Sequence, residues 1–333
     1  MSAGEFELIN HYFKAAPDAL SPASVLLGIG DDAALVKTDA NQALVVAADT
    51  LVSGVHFFAD APAEEIGQRA LRVNLSDMAA MGAEPHWFTL ALTLPQHWSE
   101  AARSGWVADF SRGLKACADQ YDCNLIGGDT TSGPLTISIQ MLGQVPAARA
   151  LRRDGANLDD FVLVTHTLGD SAAALGLMNK DVAAGSALMH CTAADRAYLQ
   201  ARFYRPEPRI KEGILLRDIA SSAQDISDGL LADLGHLCEA SDVAAEIDVA
   251  QLPFSEALQK SDPEQVRHWA LTGGDDYELV FTVSEQNMPL LAMAQAQGNI
   301  QASVIGRIVS GAGVHCELDG AIYSVDQTGY RHF

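Results

Sequence analysis

Short apolar runs alternate with segments of helical period along this chain, and several of the runs end on an aspartate. Ala43 to Ala48 is apolar and stops at Asp49, which predicts a buried strand delivering a carboxylate. From Glu64 to Gly82 the period is helical, with Gly82 placed as a stop. Asn74 and Asp77 are three apart, so they share one face of that helix, among Leu75, Met78, Ala79 and Ala80. Burying an unpaired carboxylate favours its protonation, so Asp77 needs a partner there, and a cation is the simplest one. Ser99 to Tyr121 places Ala102, Trp106, Phe110, Leu114 and Ala118 at four-residue steps, a core-facing stripe. Phe6, Ile9 and Phe13 predict a short amphipathic helix leading in.

Asn124 to Ile126 runs into a Gly127-Gly-Asp-Thr-Thr131 turn, and Leu135 to Leu142 alternates like a strand whose open face could be an oligomer seam. The stretch from Gly143 to Asp160, rich in Gly, Pro, Ala and Arg, precedes a fresh strand, Phe161 to Thr165. This places a domain boundary there, with domains 1–147 and 148–333. In the second half, Gly169-Asp-Ser-Ala172 caps a helix, Asp228 opens another with Leu230, Leu231, Leu234 and Leu237, and Glu278 to Val283 is a strand. The two halves share a loose βαβ character.

With 333 residues, 48% of them hydrophobic, the chain can build two cores. Its formal charge of −22 repels nucleic acid and anionic membranes, so neither is an expected partner. General surface acidity accounts for a scattered surplus, but not for aspartates beside glycine at the ends of apolar runs. Five cysteines, widely spaced and without a Cys-x-x-Cys pair, predict reduced buried thiols. The start lacks the basic and apolar regions of a signal peptide, and no stretch approaches the ~20 apolar residues of a membrane span. A cytoplasmic location is the expectation.

The candidate chemistry lies in Gly28-Ile-Gly-Asp-Asp32, Asp49-Thr50, Asn74-Leu-Ser-Asp77, Gly127-Gly-Asp-Thr-Thr131, Asp225-Ile-Ser-Asp228 and Gly273-Gly-Asp-Asp276. Carboxylates are hard ligands that suit magnesium, an ion commonly shared between protein carboxylates and substrate phosphates. Each cluster also has a plain reading: an ordinary turn at 28–32, a strand-end carboxylate at Asp49, a tight loop at 127–131, a helix cap at Asp228. Together they point to chemistry on a nucleotide. The Gly-x-x-x-x-Gly-Lys-Ser/Thr loop and the His-Arg-Asp loop are both absent, so phosphates would be held mainly through metal. Arg149, Arg152 and Arg153 either neutralise a nucleotide tail or form a solvated loop, and His56 is either a substrate contact or a hydrogen-bonded core histidine. No serine or cysteine with a base beside it suggests covalent catalysis.

Asp49-Thr-Leu-Val-Ser-Gly-Val-His-Phe57, Asn74-Leu-Ser-Asp-Met-Ala-Ala-Met-Gly-Ala83 and Gly127-Gly-Asp-Thr-Thr131 stand here in that order. In these motifs the chain resembles the thiamine-monophosphate kinase family, of the superfamily that includes aminoimidazole ribonucleotide synthetase and selenophosphate synthetase. The similarity runs from Gly4-Glu-Phe to Tyr330-Arg-His-Phe333. The resemblance implies an α/β and α+β class, the two-domain aminoimidazole ribonucleotide synthetase-like fold: an N-terminal α/β domain whose mixed sheet pairs across a homodimer, then an α+β domain. It implies that Asp32, Asp49, Asp77, Asp129, Asp225 and Asp228 ligate several Mg2+ ions. It further implies ATP contacts from Gly128, Asp129, Arg153 and Ser227, a substrate contact from His56, and catalysis by Asp77, Asp129 and Arg153.

Three departures from the family pattern matter, one of them a pair of residues. Ala47 and Ala48 stand where relatives carry a Ser/Thr pair, so a metal contact there would use backbone carbonyls. Asp275 replaces a glutamate that resembles a substrate contact, and Gln327 replaces an aromatic that lies against the thiamine rings. The implied reaction moves the γ-phosphoryl of ATP directly onto thiamine monophosphate. The acceptor phosphate carries about −1.5 to −2 charges at pH 7 and needs no general base. Alternatives are another ATP-using member of the superfamily, of the cyclo-ligase or selenophosphate synthetase type, and a non-catalytic divalent-cation binder. No cysteine precedes Cys117, which weighs against the selenophosphate type.

Overall fold

The computed structural model describes residues 9–13, 24–27, 35–326 and 329–330. Two compact units divide the chain, one of Met1–Met78 and Ala83–Ala148, the other of Ala79–Gly82 and Arg149–Phe333.

In the first unit, β1 (Val25–Leu27) pairs antiparallel with β2 (Leu35–Val36). A four-stranded sheet of order β3-β6-β4-β5 is built from β3 (Gln42–Val52), β4 (Glu84–Leu94), β5 (Asn124–Ser132) and β6 (Thr136–Pro146). β3 and β4 run antiparallel to β6, while β4 and β5 are parallel, joined by the helix-length crossover that parallel neighbours require. Helix α1 (Ala63–Ala80) carries the expected Asn74–Asp77 face, and Gly82 follows it with φ +62°. Helix α2 (Glu100–Gln120) is capped by the Ser99 hydroxyl, which accepts the N–H of Ala102, and it buries Val107, Phe110, Leu114 and Cys117.

Two expectations differ from the structure here. β3 is an edge strand rather than a buried one, with Leu44 and Val46 45% and 51% exposed, because apolar composition does not reveal whether a face is covered. Gly127–Thr131 is not a turn. Pairing with β4 continues through Leu94 and Ser132 and keeps the segment extended. The lead-in helix lies partly outside the described residues, of which Ile9–Phe13 is a π-helical turn.

The second unit holds a seven-stranded sheet of order β13-β12-β9-β11-β7-β10-β8. Its strands are β7 (Phe161–Thr165), β8 (Ser222–Asp225), β9 (Ala244–Asp248), β10 (Leu279–Val283), β11 (Ala302–Val309), β12 (Gly313–Leu318) and β13 (Ala321–Ile322). In this sheet, among the described residues, only β12 and β9 pair parallel. The helices are α3 (Asp170–Met178), α4 (Val182–Ala187), α5 (Ala193–Tyr204), α6 (Ile210–Leu216), α7 (Leu230–Ser241), α8 (Pro263–Thr272) and α9 (Met288–Ala296). Leu230, Leu231, Leu234 and Leu237 of α7 are buried with Val162, Val164, Val280 and Ile305 from the sheet. Each such side chain contributes about 1.5–3 kcal/mol through burial.

Beside this apolar core lies a buried ionic network. Glu278, fully buried, accepts from Arg209 Nε and Nη2 at 2.6 and 2.5 Å, from Arg202 Nη2 at 2.7 Å and from the Thr165 hydroxyl at 2.6 Å. Asp276 accepts the N–H groups of Gly169 and Ser171 at the start of α3, so this helix is capped from a distant loop rather than by its own first residues. No described helix is long and apolar enough to cross a membrane.

Candidate active site

In the first unit, α1 meets β3 at Asp49. Asn74 is fully buried on that helix, and its Oδ1 accepts the backbone N–H of Asp49 at 3.1 Å while its Nδ2 donates to Ala70 at 2.9 Å. Asp77, half-buried, lies three residues further along the same helix face.

Register separates Asp129 from this group. Asp49 stands level with Ile139, Leu90 and Gly128 on the covered side, while Asp129 stands level with Ala91 and Ser138 on the open face. Gly128 has a structural reason to be glycine: a Cβ there would lie 1.9 Å from the Leu90 carbonyl oxygen. His56 accepts the N–H of Val52 through Nδ1 at 3.0 Å, closing the turn after β3 and leaving the proton on Nε2.

In the second unit, two loops interlock. Asp225 is buried at the end of β8, and Ser227 and Asp228 follow it, half-buried. The Ser227 carbonyl accepts the N–H of Asp275, and that of Ile226 accepts the N–H of Tyr277. Gly274 allows this approach, since a Cβ would lie 2.4 Å from the Ser227 oxygen. Asp275 adopts φ +71° and accepts the Tyr277 hydroxyl at 3.2 Å. The Asp228 carbonyl accepts the N–H of Tyr330, so the chain beyond β13 returns to this loop. Asp228 is not the helix cap: Gly229 occupies that position, with no side-chain cap. Of the three loop arginines, Arg149 pairs with Asp218 and Arg152 with Asp154, while Arg153 is exposed without an ion-pair partner among the described residues. Asp32 and Gln327 lie outside the described residues.

The sequence reading missed Asp233. Its Oδ2 accepts the backbone N–H groups of Ser227, Asp228 and Gly229 at 3.0, 3.0 and 3.1 Å, and its Oδ1 accepts from Gln224 at 3.0 Å. Burial, followed by repulsion from Asp225, pushes its carboxyl up to about 7. Asp233 sits among the buried leucines of α7, the same signal that singled out Asp77.

The candidate metal-binding residues supply oxygen only, the donor type magnesium takes. Among the described residues no group of three or more His, Cys, Asp or Glu is arranged to hold a metal. Such a donor set fits an ion that keeps waters and joins one or two carboxylates to substrate phosphates, and does not fit an all-protein cage.

The family description "AIR synthase related protein, N-terminal domain" matches residues 30–145, and its C-terminal counterpart matches residues 159–319. The thiamine-monophosphate kinase of Escherichia coli strain K12 is 46% identical over 335 residues, covering 100% of this chain and 99% of its own. A crystal structure of the thiamine-monophosphate kinase from Stenotrophomonas maltophilia is 48% identical, covers 90% of this chain and 93% of its own, and superposes with a TM-score of 0.79. A structure of AaThiL complexed with AMPPCP and TMP is 33% identical, covers 92% of each chain and has a TM-score of 0.75. Similarity at these levels over the whole length, on two mixed-sheet units of this kind, means that the chain belongs to the thiamine-monophosphate kinase family.

Proposed function

We propose that this chain transfers the γ-phosphoryl group of ATP to the phosphate of thiamine monophosphate, giving thiamine diphosphate and ADP, with magnesium. The observation that carries the reading is the end-to-end similarity to thiamine-monophosphate kinases, including a relative complexed with AMPPCP and TMP. Asp32, Asp49, Asp77, Asp129, Asp225 and Asp228 are assigned as magnesium ligands, together with the backbone carbonyls of Ala47 and Ala48.

The barrier is mutual repulsion of two anions and charge on the transferring group. Magnesium would supply the neutralisation. Arg153, exposed and without a carboxylate partner among the described residues, adds a positive charge for the nucleotide phosphates, and the Ser227 loop offers a hydroxyl. Asp275 and His56 Nε2 are assigned to the thiamine monophosphate side, where they orient the acceptor. No side chain need remove a proton, since the acceptor phosphate is already anionic. The open face of the first sheet, with Leu44 and Val46 exposed, supports a homodimer seam, and five unbridged cysteines support a reducing cytoplasm.

The test incubates the purified chain with ATP, magnesium and thiamine monophosphate, with formylglycinamidine ribonucleotide in a parallel reaction. Thiamine diphosphate formed only in the first is expected, and ADP released only in the second would overturn the reading. Direct transfer predicts that single-turnover reactions with γ-labelled ATP leave no labelled protein.

A further inference from the structure

We infer that Asp233 is a positioning residue for the phosphotransfer, holding the Ser227–Asp228 loop and, through it, Asp275. This rests on the assignment of those three residues to ATP, magnesium and thiamine monophosphate.

Three successive backbone N–H groups, of Ser227, Asp228 and Gly229, converge on the single oxygen Oδ2 of Asp233. Three successive donors aimed at one point fix the orientation of the peptide planes between them, and hence the directions of the Ser227 and Asp228 side chains. The Ser227 carbonyl then accepts the N–H of Asp275, so the second loop is registered against the first. Asp233 itself cannot drift. It is 2% exposed on α7, and Gln224 of β8 holds its other oxygen. Replacing the carboxylate with a methyl group would leave three buried or half-buried donors without their acceptor, and the loop would turn to find others.

Asparagine should substitute well. Its oxygen can serve the three N–H groups, and its amide nitrogen then faces Gln224, whose Oε1 is buried with no partner among the described residues and becomes an acceptor when that amide turns over.

Steady-state kinetics of the full-length chain, varying ATP, magnesium and thiamine monophosphate separately, compare Asp233→Ala and Asp233→Asn with the unaltered protein. For Asp233→Ala, KM for ATP and for thiamine monophosphate should each rise about tenfold or more, while Asp233→Asn stays within about threefold. Alanine kinetics within that threefold margin, or an asparagine variant as impaired as the alanine one, would overturn the proposal. Amide exchange of the unaltered protein gives a second reading that does not depend on the variants folding. Protected amides at 227–229 are expected, and exchange there at unstructured rates would sink the idea. A failed phosphotransfer reading is distinguishable, because the unaltered protein would then make no thiamine diphosphate while amide exchange still reported on the anchor.

Discussion

The fully buried Asn74 side chain accepts the backbone N–H of Asp49 at 3.1 Å, tying the edge strand to α1 at one of the candidate magnesium ligands. Asn74→Ala leaves that N–H and the Ala70 carbonyl without these partners. The expected loss of stability is about 1–3 kcal/mol, read from urea unfolding. Because Asp49 loses its fixed backbone, the magnesium concentration for half-maximal turnover should rise as well; an unchanged requirement would detach Asn74 from the site.

Asp77 lies on the helix face of Asn74 and is half-buried. Asp77→Asn keeps the size and removes the charge. Turnover should fall at least about a hundredfold, equal to about 2.7 kcal/mol, with the melting temperature unchanged. Near-normal turnover would remove Asp77 from the magnesium ligands.

Arg153 is the arginine of its loop that no carboxylate engages among the described residues. Arg153→Ala should therefore raise KM for ATP more than KM for thiamine monophosphate, with little effect on folding. Equal changes in both would reassign it to a general electrostatic role.

Glu278 is fully buried and the Arg202 and Arg209 side chains on it are only 11% and 9% exposed, so removing one member leaves the others with an uncompensated charge. Arg209→Met should cost about 3–5 kcal/mol of stability, measured by chemical denaturation.

Asp276 provides the pH test. Its burial pushes the carboxyl up to about 8, the neighbouring Asp170 adds to the shift, and the Gly169 N–H and Arg202 pull against it. The unfolded carboxyl titrates near about 3.9, so the folded chain binds the extra proton between these values. Its contribution to stability is complete below about pH 4 and is lost as pH rises through about 8. Asp170 is also raised, chiefly by burial, and acts in the same direction. Melting temperature should consequently fall less steeply between about pH 5 and 8 in Asp276→Asn than in the unaltered protein.

Much of this architecture was legible in periodicity. The 3.6-residue stripe located α1 and α2 because each has one covered face, and glycine at 82 marked a real stop. The edge position of β3 was not legible, since Leu44 and Val46 have the same composition whether or not something covers them. The strand through Gly127–Thr131 was hidden because glycine and hydroxyl residues signal turns locally, whereas pairing with β4 decides their conformation. Resemblance named Asp49, Asp77 and Asp129 together, but only register reveals that Asp129 and Asp49 are on opposite sides of the sheet. Asp233 carried the signal of an acid among apolar helix positions, but its partners are backbone N–H groups of the preceding loop, which no side-chain motif marks.

The mutual hydrogen bonding of residues 226–227 with 275–277 sets a rule for redesign. A loop transplanted singly from another kinase would meet a neighbour shaped for the one it replaced. Altered acceptor preference should therefore be sought by exchanging both loops at once, with the acid on α7 that anchors them kept in place.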